Sequence, residues 1–444
     1  MFSRNVITEL RMWANRENRK PLILRGARQV GKTTLVNEFA KDFDVYLKLN
    51  LERKADYNIF ESDMEVDELL TAIYILNNRQ RVAAKTLLFI DEIQSSPKAV
   101  AKLRYFYEDA PHIHVIAAGS LLESLIGRHI SFPVGRVEYM AVRPCSFNEF
   151  LGAMGESELK EYHSQAGIPR GLHPKIIGLF NVYTLIGGMP EIVDHYSKNR
   201  DVVALQNIYE TLLSGYQDDI EKYSSGDAMQ NILRHILTVG WNYAAQRISF
   251  ERFGNSSYRS RETGEAFRIL AKAMLLELTY PATSCVIPLS PEPKRSPKLL
   301  WLDTGIVNYF AGLQKELFEV DDIGEAWRGK IAEHIIGQEL LTTNNRFSHK
   351  RYFWVRDASG SSAEVDFAIQ LENYIIPVEV KSGNNAKLRS LHQFMEKAPH
   401  DIAVRLWAKP FSIDEVKTPT GKTFRLFNLP YYYAGQIGEL IVRQ

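Results

Sequence analysis

Residues 22–39 read LILRGARQVGKTTLVNEF, and this stretch decides the fold of the N-terminal part of the chain. An apolar strand leads into a glycine loop that satisfies the pattern G-x-x-x-x-G-K-[ST], and a helical run follows it. The glycines let backbone N–H groups and the helix N-terminus face phosphate oxygens, the lysine neutralises phosphate charge, and the threonine hydroxyl binds Mg²⁺. An ordinary glycine turn is the alternative, but strand, loop and helix in this order favour nucleotide binding. The predicted nucleotide-binding residues are Gly26, Ala27, Arg28, Gln29, Val30, Gly31, Lys32, Thr33 and Thr34.

A second apolar strand ends in two acidic residues. The segment TLLFIDEIQ, residues 86–94, places Asp91 and Glu92 at the end of a strand where unpartnered carboxylates are costly. Asp91 would hold Mg²⁺ together with Thr33, and Glu92 would polarise the attacking water. Helix capping is the alternative for an acidic pair alone. The chain contains no N-K-x-D tetrapeptide to select guanine, so the two motifs together predict hydrolysis of ATP with Mg²⁺ as cofactor.

Two further polar residues are candidates for the same reaction. Ser120 follows the strand His114 to Ala118, where it could sense the γ-phosphate or orient water, and helix capping is an equal alternative. Arg136 is a candidate arginine finger that would act on its own subunit or on a neighbouring one, and Arg128 is its rival.

Composition excludes several classes of protein. The 444 residues carry 54 Lys and Arg against 53 Asp and Glu, so no global charge excess attracts nucleic acid or a membrane. Two cysteines are too few for a disulfide framework, which predicts a cytoplasmic protein. Charges near the N-terminus argue against a secretion signal, and prolines and Glu277 interrupt the most apolar later stretch, so no membrane segment is expected.

Changes of pattern divide the chain into four predicted parts: an α/β core at 1–150, a helical lid at 151–225, a winged helix-turn-helix at 226–290 and a last αβ domain at 291–444. Gly187, Gly188 and Pro190 interrupt the helical lid. The third part carries arginines near its third helix that could reach DNA in a major groove, although winged helices also serve as protein contacts. These arginines are Arg252, Arg259, Arg261 and Arg268.

The last part contains acidic residues in a pattern typical of a Mg²⁺ site. Glu333 lies in a helical run, and Asp366 lies in the alternating strand SAEVDFAIQ. Glu379 and Lys381 stand two apart in IIPVEVKSG, so their side chains point to the same face of a strand. One hairpin would bring Asp366, Glu379 and Lys381 together: the two carboxylates would bind Mg²⁺, and Lys381 would orient water or steady phosphate charge. A cross-strand ion pair is the alternative. Glu333 would join the two carboxylates as a metal ligand by the resemblance to nucleases described below.

These motifs resemble those of prokaryotic AAA+ superfamily ATPases that combine a Walker A and Walker B core with a lid, a winged helix and a C-terminal domain similar to PD-(D/E)XK nucleases. The phrase GRVEYMAVRPCSFNEF at 135–150, GGMPEIV at 187–193 and LDTGI at 302–306 are similar to further landmarks of that family. The resemblance implies a five-stranded parallel sheet of the ASCE type in which another strand separates the two Walker strands. It departs from the nuclease pattern at Val365, where a proline would precede Asp366.

The sequence thus predicts an ATPase coupled to a DNA-binding, Mg²⁺-dependent nuclease-like domain. DNA and ATP are the expected partners, no membrane is expected, and assembly into a homo-oligomer is left open. A regulatory switch that binds DNA or protein without cleaving is the main alternative. A small-molecule phosphotransferase is a lesser one, because the acidic pair and the long multidomain tail argue against it.

Overall fold

The computed structural model describes residues 2–119, 133, 135–224, 226–312, 325–342, 344–346, 348–357, 363–382 and 388–443. Within these ranges, no helix has both the length and the apolar character that a membrane crossing requires.

The N-terminal part is built on a parallel sheet. Its described strands are β1 (Leu22–Arg25), β2 (Val45–Asn50), β3 (Thr86–Asp91), β4 (His114–Gly119) and β5 (Glu138–Ala141). They lie in the order β2-β3-β4-β1-β5 and all pair in parallel. The four predicted strands are confirmed to within one or two residues. β4 separates the strand before the glycine loop from the strand of the acidic pair, as the resemblance implied.

Helices cover both faces of this sheet because successive strand residues point to opposite sides. The helices are α1 (Val6–Ala14), α2 (Lys32–Phe39), α3 (Lys54–Glu61), α4 (Val66–Leu76) and α5 (Pro97–Asp109). Leu22 and Leu24 of β1 belong to the core that contains α1 and α2, whereas Ile23 belongs to the core that contains α3, α4 and α5. Burial on both faces explains why these strands are continuous apolar runs.

Residues 147–223 are helical, as predicted. They form α6 (Phe147–Ala153), α7 (Ser157–Ser164), α8 (His173–Ile186), α9 (Pro190–Asn199), α10 (Gln206–Asp218) and α11 (Ile220–Tyr223). The predicted break falls between α8 and α9. Gly187 has φ 73°, and a Cβ there would lie 2.1 Å from Asp303 Oδ1, while a Cβ on Gly188 would lie 2.3 Å from the Cys145 carbonyl oxygen. Two glycines are therefore required where three segments of chain meet.

The next part places two main helices before a strand, with short 3-10 turns between them, where three helices were predicted. Its elements are α12 (Asp227–Val239), β6 (Gln246–Arg247), α13 (Ser260–Lys272), β7 (Leu276–Thr279), β8 (Pro281–Ala282), β9 (Lys298–Trp301) and α14 (Thr304–Phe310). β9 pairs with β6 and β7, so this antiparallel sheet crosses the boundary predicted at 290/291. The boundary is wrong in this respect, because β9 beyond it pairs with β6 and β7, and the proline-rich residues 283–297 connect β8 to β9 as a loop.

The C-terminal part is a mixed sheet flanked by helices. Its elements are α15 (Glu325–Thr342), β10 (Tyr352–Val355), β11 (Glu364–Leu371), β12 (Tyr374–Val380), α16 (Arg389–Lys397), β13 (Ile402–Trp407), β14 (Ser412–Lys417), β15 (Thr423–Pro430) and α17 (Ile437–Val442). The described strands lie in the order β14-β15-β13-β12-β11-β10-β8, so β8 joins this sheet from the preceding part. β11 and β12 form the predicted hairpin.

Alanine substitutions at two glycines, one in crowded and one in open surroundings, test the packing of the chain. A Cβ on Gly26 would lie 2.3 Å from the Val142 carbonyl oxygen, so we expect Gly26→Ala to lower the free energy of unfolding by about 1–3 kcal/mol. Gly178 lies in α8 with no atom within 4 Å of such a Cβ, so Gly178→Ala should raise it by about 0.5–1 kcal/mol. Urea unfolding of both variants measures the difference. Equal effects of the two substitutions would contradict this packing.

Candidate nucleotide site and carboxylate cluster

The glycine loop has the conformation of a phosphate cradle. Gly31 has φ 87° and directly precedes α2, whose first residue is Lys32. The Lys32 ammonium is buried and donates to the carbonyl oxygens of Gly26 and Ala27 at 2.9 Å each. Burial lowers the pKa of Lys32 to about 8, although the carboxylates of Glu92 and Asp91 oppose the shift. A buried cation at a helix N-terminus is suited to bind an anion.

The residues predicted to hold Mg²⁺ lie side by side. The Thr33 hydroxyl donates to Asp91 Oδ2 at 2.7 Å, joining the start of α2 to the end of β3. One hydroxyl and one carboxylate oxygen are ligands that suit Mg²⁺, so this pair fits the predicted ion. Glu92 has φ 53°, its carboxylate accepts a hydrogen bond from Gln94 Nε2, and its backbone N–H donates to Asp91 Oδ1 at 3.2 Å.

The helical part contacts the glycine loop directly. Arg28 Nη1 lies 2.5 Å from Asp219 Oδ1, an ion pair between the loop and the segment joining α10 to α11. A Cβ on Gly31 would lie 3.5 Å from the Pro190 ring, so the first residue of α9 is close to the loop. Sequence reasoning did not find Asp219, because the two charges are 191 residues apart. These contacts place the helical part where it can respond to bound nucleotide.

The three candidates for the arginine finger and for the γ-phosphate sensor differ in outcome. Ser120 and Arg128 lie outside the described residues. Arg136 pairs with Glu108 at 2.8 Å and precedes β5, whose Glu138 is level with Leu22 at the start of β1. The glycine loop follows the other end of β1, so Arg136 lies near the opposite edge of the sheet. Its role as an arginine finger, on its own subunit or on a neighbouring one, stays a prediction.

The predicted acidic residues of the C-terminal part do converge. On the β11–β12 hairpin Phe367 pairs with Val378, and extending this register by one residue places Asp366 opposite Glu379. Asp366 Oδ2 accepts the Val380 N–H at 2.7 Å, and Lys381 Nζ lies 2.6 Å from Glu379 Oε1. Glu333 of α15 is close enough for its charge to interact with that of Asp366.

Two residues that sequence reasoning missed complete this group. Lys298 of β9 is buried, and its Nζ lies 2.5 Å from Glu333 Oε1 and 2.7 Å from Glu364 Oε1. The alternating strand SAEVDFAIQ could have indicated Glu364, which shares a face with Asp366, but nothing local indicates Lys298. We call the whole group the carboxylate cluster; its members are Glu333, Glu364, Asp366 and Glu379 with Lys298 and Lys381.

The carboxylate cluster carries buried acidic groups in excess of its lysines. Burial raises the pKa of Glu333, of Asp366 and of Glu379, and the neighbouring lysines only partly oppose it. Glu379 Oε2 is buried and finds no hydrogen-bond partner in the part of the chain that the structure describes. An unpartnered carboxylate oxygen among acids fits a divalent cation. As placed, however, no three His, Cys, Asp or Glu side chains of the described residues form a group that could hold a metal ion, and the Lys298 ammonium lies between Glu333 and Glu364.

The four arginines predicted to contact DNA are all exposed. Arg252 precedes a short 3-10 turn, and Arg259 and Arg261 flank the first residue of α13. Arg268 lies two turns further along that helix. Among the described residues none of the four forms an ion pair within 4 Å.

Substitutions in the nucleotide site separate binding from turnover. Lys32→Ala should weaken ATP binding by about tenfold to a hundredfold, because a charged hydrogen-bond donor is lost. Glu92→Gln should leave ATP affinity intact and slow hydrolysis by about 10²–10⁴-fold. Calorimetric titration and phosphate release measure the two quantities. Lys41→Ala, an exposed lysine beyond α2, is the control, and unchanged hydrolysis by the Glu92 variant would refute the assignment.

Comparisons with known proteins agree with the geometry of the N-terminal part. Residues 18–151 match the family model described as AAA domain. Residues 177–317 and 328–426 match two families described as domains of unknown function, DUF8612 and DUF4143. No curated protein matches the chain significantly.

Solved structures show weaker similarity. The Walker-type ATPase paby2304 of Pyrococcus abyssi is 14% identical over 70% of this chain and 96% of its own, with a TM-score of 0.45. The Aeropyrum pernix ORC1 protein in complex with DNA is 12% identical over 71% of this chain and 93% of its own, with a TM-score of 0.27. Similarity at this level does not establish a common fold for the whole chain. The AAA match, the parallel sheet and the two phosphate-site motifs together identify the N-terminal part as an AAA-type P-loop ATPase core.

Proposed function

We propose that the ATPase core drives a DNA-binding, Mg²⁺-dependent nuclease-like region formed by the C-terminal half of the chain. The observation that carries this proposal is the convergence of Glu333, Asp366, Glu379 and Lys381 in one buried group at the edge of a hairpin. The coupling to ATP rests on the contacts between the helical part and the glycine loop.

In the ATPase core, each predicted residue has a distinct task. Thr33 and Asp91 would hold Mg²⁺, which would neutralise phosphate charge, and Lys32 would exchange its two carbonyl acceptors for phosphate oxygens. Glu92 orients the attacking water. Arg28 and Asp219 link the cradle to the helical lid, so phosphate charge arriving beside Arg28 competes with Asp219 for it.

In the carboxylate cluster, Glu333, Asp366 and Glu379 would hold Mg²⁺ and Lys381 would lie beside it. The ion would polarise a phosphodiester and lower the pKa of water. Lys381, held 2.6 Å from Glu379, orients that water or stabilises the charge of the pentavalent phosphate. Val380 fixes Asp366 through its backbone N–H, which keeps one carboxylate oxygen in place.

DNA contact would come from the exposed arginines around α13. Arg259 and Arg261 stand at the start of this helix, where side chains can reach phosphates or base edges. Exposed guanidinium groups without an ion pair in the described residues are available for such contacts. The chain as a whole has no charge excess, so binding depends on this local patch.

One observation favours the alternative of a regulatory switch without cleavage. Lys298 already pairs with both Glu333 and Glu364, and a lysine so placed offsets part of the acidic charge without a metal ion. In that case the C-terminal fold would be a scaffold that transmits the nucleotide state to DNA or to a partner protein.

ATP turnover and plasmid integrity measured in one reaction with Mg²⁺ test the proposal. The wild type should hydrolyse ATP and nick the plasmid, Lys32→Ala should lose turnover, and Asp366→Ala should lose nicking while it retains turnover. Glu415→Ala, an exposed carboxylate on β14, is the matched control and should retain both activities. Loss of nicking in the Lys32 variant as well would show coupling. An intact plasmid with active ATPase throughout would reject the nuclease and leave the switch.

Lys298→Met tests whether this lysine competes with a divalent cation. Its removal leaves Glu333 and Glu364 without their cation, so we expect the free energy of unfolding to fall by about 3–5 kcal/mol. Mn²⁺ should restore much of this loss, giving a larger rise in Tm than in the wild type, with Mn²⁺ binding followed by electron paramagnetic resonance. Lys417→Met removes an exposed lysine of β14 and should leave both readouts unchanged. An equal response of the Lys298 variant and the wild type to Mn²⁺ would contradict this role.

A further inference from the structure

A cavity of about 300 Å³ lies where the ATPase core, α13 and the C-terminal part meet. Its charged lining comes from all three: Arg143 follows β5, Arg268 lies on α13, and Lys350 and Arg351 precede β10. Glu277 of β7 is the acidic residue among its lining residues in the described chain. We call this space the junction cavity.

Two of these cations are buried, so their charge carries a large desolvation free energy. Arg143 is 8% exposed and Arg351 is 6% exposed. Arg351 Nη2 pairs with Glu277 Oε2 at 2.9 Å, so this carboxylate is already engaged. Arg143 donates instead to the neutral carbonyl oxygens of Asn344 at 3.1 Å and Arg346 at 3.4 Å. The buried walls therefore carry more positive than negative charge.

The remaining donors of these groups support the same conclusion. Arg351 Nε is buried and has no hydrogen-bond acceptor within the described parts of the chain. Burial, with the like charge of Arg351, lowers the pKa of Arg143 to about 10. A buried guanidinium next to a second guanidinium is stabilised by a nearby anion.

The rest of the lining determines what kind of anion fits. It includes Met274, Leu278 and Tyr280, which are apolar or aromatic. The volume is at the lower end of the range for small-molecule sites, roughly 300–1,000 Å³. We propose that the junction cavity binds a small organic phosphate of about mononucleotide size, with its phosphate at Arg143 and Arg351 and its body against Met274 and Tyr280.

Such a ligand would touch three parts of the chain at once and would sit close to the nucleotide site. Arg4 donates to the carbonyl oxygen of Arg143 at 2.7 Å and to that of Val30 in the glycine loop at 3.3 Å. The proposed site is nevertheless separate from the glycine loop, so its occupancy can be measured where ATP binding has been weakened.

The test uses the full chain carrying Lys32→Ala and titrates it calorimetrically with AMP, with adenosine as the uncharged counterpart. AMP should bind and adenosine should not. Adding Arg268→Gln and Lys350→Gln, which remove exposed cations of the rim, should weaken AMP binding at least about tenfold. Lys272→Gln removes an exposed lysine of the same helix that is not among the lining residues, and it should leave AMP affinity unchanged.

Arg143→Met removes the central guanidinium and should abolish AMP binding. Where this variant fails to fold, the rim variants decide, because their side chains are exposed. A separate titration with a short DNA duplex distinguishes a free phosphate ligand from backbone phosphate. The proposal is overturned if AMP does not bind, if its affinity is the same in the rim variants, or if only the duplex shows rim-dependent binding. Because every measurement uses the Lys32 background, failure here leaves the ATPase and nuclease proposals untouched.

Discussion

The buried carboxylate of Asp303 holds the parts of this chain together. It accepts the backbone N–H of Gly188 at 2.6 Å, that of Ile306 at 3.2 Å and the side-chain amide of Gln338 at 3.2 Å. Burial raises its pKa to about 6, although these donors act in the opposite direction. A carboxylate in such surroundings is tolerable only while all its donors stay in place. Asp303 therefore fixes the distances between three places in the chain: the break between α8 and α9, the start of α14 and the turn of α15 that carries Gln338.

This arrangement joins the nucleotide site to the carboxylate cluster by contiguous contacts. Pro190, two residues after Gly188, packs close to Gly31 of the glycine loop. On the other side, Gln338 contacts Asp303 while Glu333, five positions earlier on α15, reaches Lys298. Five positions turn a helix by about 140°, so one rigid helix presents these two side chains to different neighbours. A movement of the helical part that follows nucleotide binding would therefore bear on the carboxylate cluster through α15.

Local patterns made most of the fold and part of the site predictable. The four strands and the glycine loop follow from short apolar runs that end at glycine or polar residues. The β11–β12 hairpin follows from the alternation of apolar and polar residues. Lys298 could not be predicted, because its place among the acids depends on a strand that pairs outside the C-terminal sheet. The ion pair of Arg28 with Asp219 and the position of Arg136 depend on tertiary packing and on which end of a strand a residue occupies. Sequence separation, rather than weak local signal, set the limit.

The two proposed sites differ in how they can relieve an imbalance of buried charge. The acids of the carboxylate cluster can retain protons, and burial raises the pKa of Glu333 and Glu379 in that direction. The arginines of the junction cavity cannot lose their charge by a change of protonation, because a guanidinium stays protonated even when burial lowers its pKa to about 10, as at Arg143. Its charge can be balanced only by an anion, and Glu277 already pairs with Arg351. The acidic site can therefore balance its charge with protons or a cation, whereas the basic site would do so by binding an anion, as proposed for the junction cavity.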